Sequence, residues 1–356
     1  VDAGTDWIWN YPSVIDVTPL AESLRSRVRQ YTQKGELNLV GILANHGLHR
    51  QDSEIYSERI QETFEEDGIN YEVWKFPNGR GRNDVAQEKV QWMQDHISLA
   101  NERDDVHGIL IFYPIFPLGP KGPYKNRLTG VYYKGHDDHF RDLVLPSKDV
   151  EGLCGTKWFK IQEPRRRLRR DEQSSLVYPC TALSVLRILE EYHMSSDYNI
   201  NHRTYKDLHS PNEEWQSQTV SIVNRSEIMG RPLAVMLARK GATVYSIDVN
   251  SILKFQPNGR LHRCNPDTTT LATCLEESNV VVTGVPTMDF QLPLSNIGQG
   301  TTLINVSEFP NVCEEMLLTE RPDVKYIPQV GKVTVAVLEN NLMNLKLEAD
   351  QRRNQQ

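Results

Sequence analysis

The sequence predicts an α/β chain of two domains. Short apolar runs alternate with amphipathic stretches of helical period through the first half of its 356 residues. After an irregular middle, the alternation resumes from Thr219 as strand, helix and strand, which is the pattern of parallel β-α-β units. The composition, 38% hydrophobic and 24% charged, suits a globular fold, and no run approaches 18 apolar residues, so no membrane partner is expected. The length suits two domains, or one large α/β domain; with two, the expected bounds are 1–194, completed by the C-terminal segment 333–356, and 195–332.

Each element has its own signal. Thr18-Pro19 reads as an N-cap with Pro at the first helical position, and Leu20, Leu24, Val28 and Tyr31 follow at helical spacing. "LNLVGILA" (37–44) is a strand, a helix runs from about Ser53 to Asp67, and "NYEVWKF" (70–76) alternates as a strand. Residues 83–100 are amphipathic at the helical period, and "GILIFYP" (108–114) is a buried strand stopped by Pro114. Residues 117–147 read as a surface insertion and 154–176 as a second irregular stretch; Thr181 caps a helix to about His193, and 210–218 is a polar loop. The second half gives strands at 219–224, 242–248, 279–284, 301–306 and 324–328, a helix at 228–239 and a last helix at 333–349 whose Leu/Met stripe belongs to the core.

Net charge of −7 gives no reason to expect nucleic acid as a partner. The five cysteines are scattered without CxxC spacing, which favours reduced thiols and a cytoplasmic location over a disulfide framework or a zinc site. The N-terminal residues lack the basic and apolar regions of a secretory signal. "GHDDH" (135–139) has metal-ligand residue types but reads as a solvated loop, with no metal expected. "RRRLRR" (165–170) reads as a solvated basic loop, with a nuclear signal, a nucleic-acid patch or attraction for an acidic ligand tail as the alternatives. Trp7 and Trp9 are expected to pack against the body of the chain or a partner subunit.

"VNRSEIMGRPL" (223–233) stands where a strand turns into a helix, the context of a phosphate-binding loop. It carries one glycine instead of three, but Asn224, at the place of the first, tolerates left-handed geometry. Arg225 and Ser226 offer donors to a phosphate or ribose, and Gly230 begins the helix. Asp248 ends the next strand, 18 residues after Gly230, where an acid suits the ribose hydroxyls of NAD and repels the 2′-phosphate of NADP. Arg231 works against that preference, because a nearby arginine can accept the same phosphate.

These residues also carry a resemblance. "NRSEIMGRPLAVMLARKGATV" (224–244) resembles the G-R-S-x-x-V-G-x-P…A-T-V segment of the methylenetetrahydrofolate dehydrogenase/cyclohydrolase family. "GILIFYPIF" (108–116), "KDVEGL" (148–153), "PCTALSVLRIL" (179–189), "GVP" (284–286) and "PQVGKVTVAVL" (328–338) are similar to its other landmarks, in order, over about 37–347. The resemblance implies a folate-binding domain (1–194 with the C-terminal helix), a Rossmann-like NAD-binding domain (195–332), a cleft between them and a homodimer.

The departures resemble the family's fungal monofunctional, NAD-dependent branch. The cyclohydrolase lysine of the family's Y-x-x-x-K is here Ile60, and its supporting glutamine is Phe112. Arg59 points about 100° away around a helix and is no substitute. The resemblance therefore implies oxidation of 5,10-methylenetetrahydrofolate, in polyglutamylated form if a basic loop attracts the tail, without hydrolysis of the product. On the substrate side it implies Tyr56, Phe112, Tyr113, Pro114, Glu151 and Pro179, with Tyr56, Glu151 and Cys180 at the reacting centre. Glu151 matches a pterin-contacting Asp but is one methylene longer. Around NAD it implies Arg225, Ser226, Gly230, Asp248, Val249, Gly284, Val285, Pro286, Val306, Ser307 and Glu308. The rivals are a bifunctional NADP enzyme, against which Ile60 and Asp248 both count, and a non-catalytic folate or nucleotide sensor.

Overall fold

The computed structural model describes residues 6–45, 48–77, 85–116, 124–125, 132–154, 177–194, 213–257 and 260–354. By contacts the chain groups into two compact units, one of Val1–Glu22, Ile161–Ser174 and Pro179–Thr334, the other of Ser23–Lys160, Ser175–Tyr178 and Val335–Gln356. This grouping draws its line at other residues than 194/195, with Pro179 and the helix after it joining the larger sheet.

Helix α1 (Thr18–Thr32) starts with the Asp16 carboxylate accepting from the Thr18 backbone N–H at 2.9 Å and from its hydroxyl at 2.6 Å, so Asp16, not Thr18, satisfies the first free donor. A three-stranded parallel sheet, ordered β2-β1-β3, is built from β1 (Asn38–Leu43), β2 (Asn70–Lys75) and β3 (Gly108–Ile111). The crossover helices are α2 (Leu48–Glu66) and α3 (Val85–Glu102), and α2 begins five residues before the expected Ser53. Val40, Ile42, Ile109 and Ile111 of the sheet pack with Met93 and Ile97 of α3.

The described parts of 117–147 are more regular than the surface insertion expected. They form a small hairpin, β4 (Tyr124–Lys125) with β5 (Tyr132–Tyr133), and helix α4 (His136–Leu143). Phe140 and His139 are buried, so "GHDDH" opens a packed helix instead of a solvated loop. A helix with one buried aromatic among charges has too weak an apolar period to be read from sequence. The stretch 155–176, with its arginine run, lies outside the described residues.

In the other unit, Ile8 is buried while Trp7 and Trp9 each stay 39% exposed, so packing against the body covers them only in part. Helix α5 (Cys180–Tyr192) has Pro179 at its N-cap with no side-chain cap, so Thr181 is already inside the helix and caps nothing. The polar run 210–218 holds a single helical turn, α6 (Glu213–Gln216), around the fully buried Trp215, where a loop was expected. Then come β6 (Thr219–Val223), α7 (Gly230–Lys240) and β7 (Thr243–Asp248). An unanticipated antiparallel pair follows, β8 (Ser251–Phe255) and β9 (Leu261–Arg263), then α8 (Leu271–Glu276), β10 (Val280–Thr283), β11 (Thr302–Asn305), α9 (Glu314–Glu320) and β12 (Lys325–Ile327). The sheet has seven strands in the order β12-β11-β10-β6-β7-β8-β9, parallel from β12 to β7. The order reverses at β6, which makes the carboxyl ends of β6 and β10 a topological switch point.

Helix α10 (Gly331–Arg353) ends the fold. From Val335 it packs with the three-stranded sheet's unit, burying Leu338, Leu342, Met343 and Leu345 as the Leu/Met stripe required. Asn341 donates to the carbonyls of Val150 at 2.8 Å and Tyr178 at 3.1 Å, which ties the segment before α5 to α10. Glu339 is fully buried without a donor to either oxygen and faces Asp67, whose carboxylate is already held by Arg25 at 2.7 Å and Arg29 at 3.1 Å. Burial first, then the Asp67 charge, pushes the Glu339 carboxyl up to about 9, so it is protonated at neutral pH. A carboxyl whose folded pKa is raised contributes full stability below its unfolded value near 4.5 and loses it as pH rises towards 9. Glu339→Gln, which keeps a donor toward Asp67, is therefore expected to remove a decline of up to ~1.4 kcal/mol per pH unit across that window. Urea titrations of both proteins at pH 6 and pH 9 check this; parallel losses would place the pH sensitivity elsewhere.

Candidate active site and cofactor-binding edge

The four loops singled out in the second half arrive at one edge of the seven-stranded sheet. Val223, Thr283 and Asn305 end their strands and Ile247 is the last residue but one of β7; they lie in register, since Val223 pairs with both Ile247 and Thr283, and Thr283 with Asn305. Backbone bonds carry the alignment one residue further: Asn224 N–H donates to Ile247, Gly284 N–H to Val223 and Val306 N–H to Thr283. Asn224, Asp248, Gly284 and Val306 thus lie side by side where doubly wound sheets take ligands.

Asn224 adopts φ +93°, the left-handed geometry its residue type allows, and its side-chain amide donates to the Gly284 carbonyl across the switch point. A Cβ on Gly230 would stand 2.1 Å from the Asn224 carbonyl oxygen, so the turn closes only on a glycine. A Cβ on Gly284 would likewise meet the Val306 side chain at 2.6 Å. Backbone this close is the cradle a dinucleotide needs, and the donor set around it is compatible with one.

Two of the expected phosphate donors are committed inside the protein. Ser226 Oγ accepts from the N–H groups of Met229 and Gly230, both at 3.2 Å, and its carbonyl accepts from Arg231 N–H at 3.0 Å. These donors at the start of α7 are therefore used, and of the Ser226 side chain only the hydroxyl proton remains to donate outward. The Arg225 guanidinium bonds Ser246 Oγ at 3.1 Å, Ser251 Oγ at 2.9 Å and the carbonyls of both serines, which clamps the β7–β8 turn that carries Asp248. Burial lowers the Arg225 pKa below its ordinary value; nearby Asp248 opposes this, and Arg231 and Arg263 reinforce it.

Asp248 is exposed and accepts from its own neighbour, Val249 N–H, at 2.9 Å; Val249 is 94% exposed. Arg231 is held by Glu227 at 2.6 Å, one helical turn away. On the other side of the switch point, the Gly284–Pro286 loop is pinned by a residue without any signal in the sequence. Buried Asn311 accepts from Thr283 Oγ1 at 2.9 Å and Val285 N–H at 2.8 Å and donates to the Val285 carbonyl at 2.9 Å. Ser307 Oγ also donates to that carbonyl at 3.0 Å, joining the loop before Pro286 to the 306–308 loop that ends with Glu308.

The unit of the three-stranded sheet gathers most of the residues expected on the substrate side at the end of β3. Phe112 N–H continues the ladder onto Ile42, Tyr113–Pro114 is a cis peptide, and buried Asn45 holds the Pro114 carbonyl at 2.8 Å. Tyr56 on α2 meets Phe112 edge-on at 6.2 Å, and one turn on, Ile60 is fully buried. The Tyr113 phenol oxygen is shielded and has no hydrogen-bond partner, while the Arg141 guanidinium from α4 lies 4.9 Å from its ring centroid. Glu151 accepts from Ile111 N–H at 3.4 Å. Burial, then the Asp149 charge, pushes its carboxyl up to about 8, with the Ile111 N–H and Arg141 pulling the other way. Sequence reading missed Lys89, a buried amine without a hydrogen-bond partner, 5.1 Å from the Phe116 ring centroid and lowered to about 8 by burial. Pro179 and Cys180 open α5 in the other unit; Cys180 is buried, and its carbonyl accepts from Ser184 Oγ at 2.6 Å. Among the described residues no three metal-type side chains converge, and no helix is long and apolar enough to cross a membrane.

Comparison with known proteins gives a consistent result. Residues 15–126 match the model of the tetrahydrofolate dehydrogenase/cyclohydrolase catalytic domain. The chain is 32% identical over 342 residues to a methylenetetrahydrofolate dehydrogenase [NAD(+)] of Dictyostelium discoideum, covering 94% of this chain and 95% of that protein. It is 29% identical over 339 residues to the protein of the same name in Schizosaccharomyces pombe, covering 93% and 92%. Its fold is similar to the solved NAD-dependent 5,10-methylenetetrahydrofolate dehydrogenase of Saccharomyces cerevisiae, with a TM-score of 0.73 at 28% identity over 96% of this chain and 98% of that one.

Proposed function

The chain belongs to the tetrahydrofolate dehydrogenase/cyclohydrolase family, and from that premise we infer that it oxidises 5,10-methylenetetrahydrofolate to the methenyl form with NAD. Hydride leaves the methylene carbon, and the cation that remains is shared between the two flanking nitrogens, so no proton has to be removed. Bound NAD supplies the hydride acceptor. The residues then have to position the two rings and stabilise a developing positive charge.

We assign these tasks as follows. Tyr56 and Phe112 flank the folate, and the Tyr113 hydroxyl, unpartnered in the protein, offers it a donor. Glu151, once ionised, grips the donor edge of the pterin and stabilises the cationic product. Asp248 takes the ribose hydroxyls of NAD, the Ser226 hydroxyl proton serves a cofactor oxygen, and Arg225 acts by holding the Asp248 turn. Gly284, Val285, Pro286, Val306, Ser307 and Glu308 line the remainder of the cofactor site, and Pro179 and Cys180 complete the substrate side without a covalent step. On this reading residues 1–194 with the C-terminal helix serve folate, and 195–332 serve NAD.

The observation that carries the monofunctional reading is the hydrophobic contact where hydrolysis needs polar groups. Ile60 is fully buried at the lysine position, and Phe112 stands against Tyr56 at the glutamine position. Neither side chain can activate water. None of the described cysteines forms a disulfide, and a reducing cytoplasm, a homodimer and polyglutamylated substrate complete the proposal.

An absorbance assay tests the activity. With methylenetetrahydrofolate, NAD is reduced and methenyl product accumulates, then decays no faster than in buffer alone. Enzyme-dependent decay, or a preference for NADP, would return the bifunctional reading; cofactor binding without turnover would favour the sensor.

A further inference from the structure

Asp248 alone does not explain a preference for NAD, because its surroundings are rich in cations. Arg225 feels the charges of Asp248, Arg231 and Arg263, so the turn it holds gathers three guanidinium groups. Any of them, with its guanidinium open, is a ready partner for a 2′-phosphate, since planar donors match phosphate oxygens in pairs. Each one is instead engaged. Arg225 is clamped to Ser246 and Ser251, Arg263 donates to the Asn250 carbonyl at 3.0 Å, and Arg231 is bound to Glu227 at 2.6 Å.

Arg231 differs from the other two. Its partner is a carboxylate, which cancels its charge where the hydroxyls and carbonyls that hold the other two do not, and both side chains are part-exposed, 39% and 31% accessible. We propose that Glu227 is a specificity-determining residue, which occupies and neutralises Arg231 and so withholds that guanidinium from a 2′-phosphate. Two carboxylates then share the discrimination: Asp248 repels the phosphate and Glu227 withholds its partner. This rests on the NAD reading above. It also accounts for why an arginine next to the phosphate loop does not turn the site toward NADP.

The test is titration calorimetry of the full chain with NAD and with NADP, without folate, so that binding is read independently of turnover. Glu227→Gln keeps the size of the side chain and removes its charge. It is expected to tighten NADP binding about tenfold at low salt, with the gain shrinking at 1 M salt. The double variant Glu227→Gln/Arg231→Gln is expected to return the NADP constant to its original value, which assigns the gain to the released guanidinium. An unchanged NADP constant in Glu227→Gln overturns the inference, as does an equal shift for both cofactors or a gain that survives in the double variant. Absence of NAD binding by the unaltered protein would instead sink the cofactor assignment, and the inference with it.

Discussion

Gly230→Ala is expected to abolish NAD binding at millimolar cofactor and to lower stability by about 2–4 kcal/mol. The added Cβ lies 2.1 Å from the Asn224 carbonyl oxygen and 3.1 Å from Arg225 Cα, both backbone atoms. Asn224 cannot step aside: its N–H is held by Ile247 at 3.1 Å and its side chain by the Gly284 carbonyl. The strain must therefore open the turn, and with it the clamp that Arg225 makes on the strand pair carrying Asp248. Thermal melting and an NAD titration check this together. Gly331→Ala is the control, since a Cβ there meets nothing within 4 Å and should change stability by less than about 1 kcal/mol. A Gly230→Ala protein that melts and binds like its parent would mean the turn is far softer than its hydrogen bonds imply.

The second large effect concerns Glu151. Its carboxyl, raised to about 8, is mostly protonated in the free enzyme at neutral pH. Only the ionised form stabilises a cationic product, so kcat/KM for the folate is expected to rise with pH through about 8 with a single-proton slope. Glu151→Gln removes the charge and keeps the shape. We expect it to lower kcat/KM by about 100-fold at pH 8.5, a magnitude typical of losing one preorganised electrostatic contact, and to flatten the profile. Glu151→Asp should restore part of the rate and the sloping profile. A Gln variant that retains the pH dependence would assign the titration to another group. One that retains the rate would remove Glu151 from the reacting centre.

These residues also mark how far sequence carries. Asn224, Gly230 and Asp248 were legible because each is a backbone or register requirement: a left-handed corner, a close approach, the end of a strand. Such requirements are local, and spacing records them. Ile60 and Phe112 were legible only through the resemblance, since a buried Ile on a helix is otherwise unremarkable. Asn311, Ser246 and Ser251 were invisible. Each acts through hydrogen bonds to residues 21 to 28 positions away, and nothing in its own neighbourhood announces that. The internal partners of Arg225 were hidden for the same reason, since nothing in a phosphate-type loop announces bonds to Ser246 and Ser251.

The sequence by itself determined the alternation of strands and helices, the parallel pairing of the three-stranded sheet and of β12 to β7, and the corner at Asn224–Gly230. All follow from periodicity, residue size or the presence of a functional group, properties a chain carries before it folds. Tertiary structure alone decided which groups are spent and which remain to act. It turned "GHDDH" into a packed helix, buried Trp215 inside a polar run, and added the antiparallel pair Ser251–Phe255 and Leu261–Arg263. It also raised Glu151 and Glu339 far above ordinary carboxyls and tied Arg231 to Glu227. Charge state and hydrogen-bond commitment depend on burial and on partners brought together by folding, and neither is a property of the residue alone.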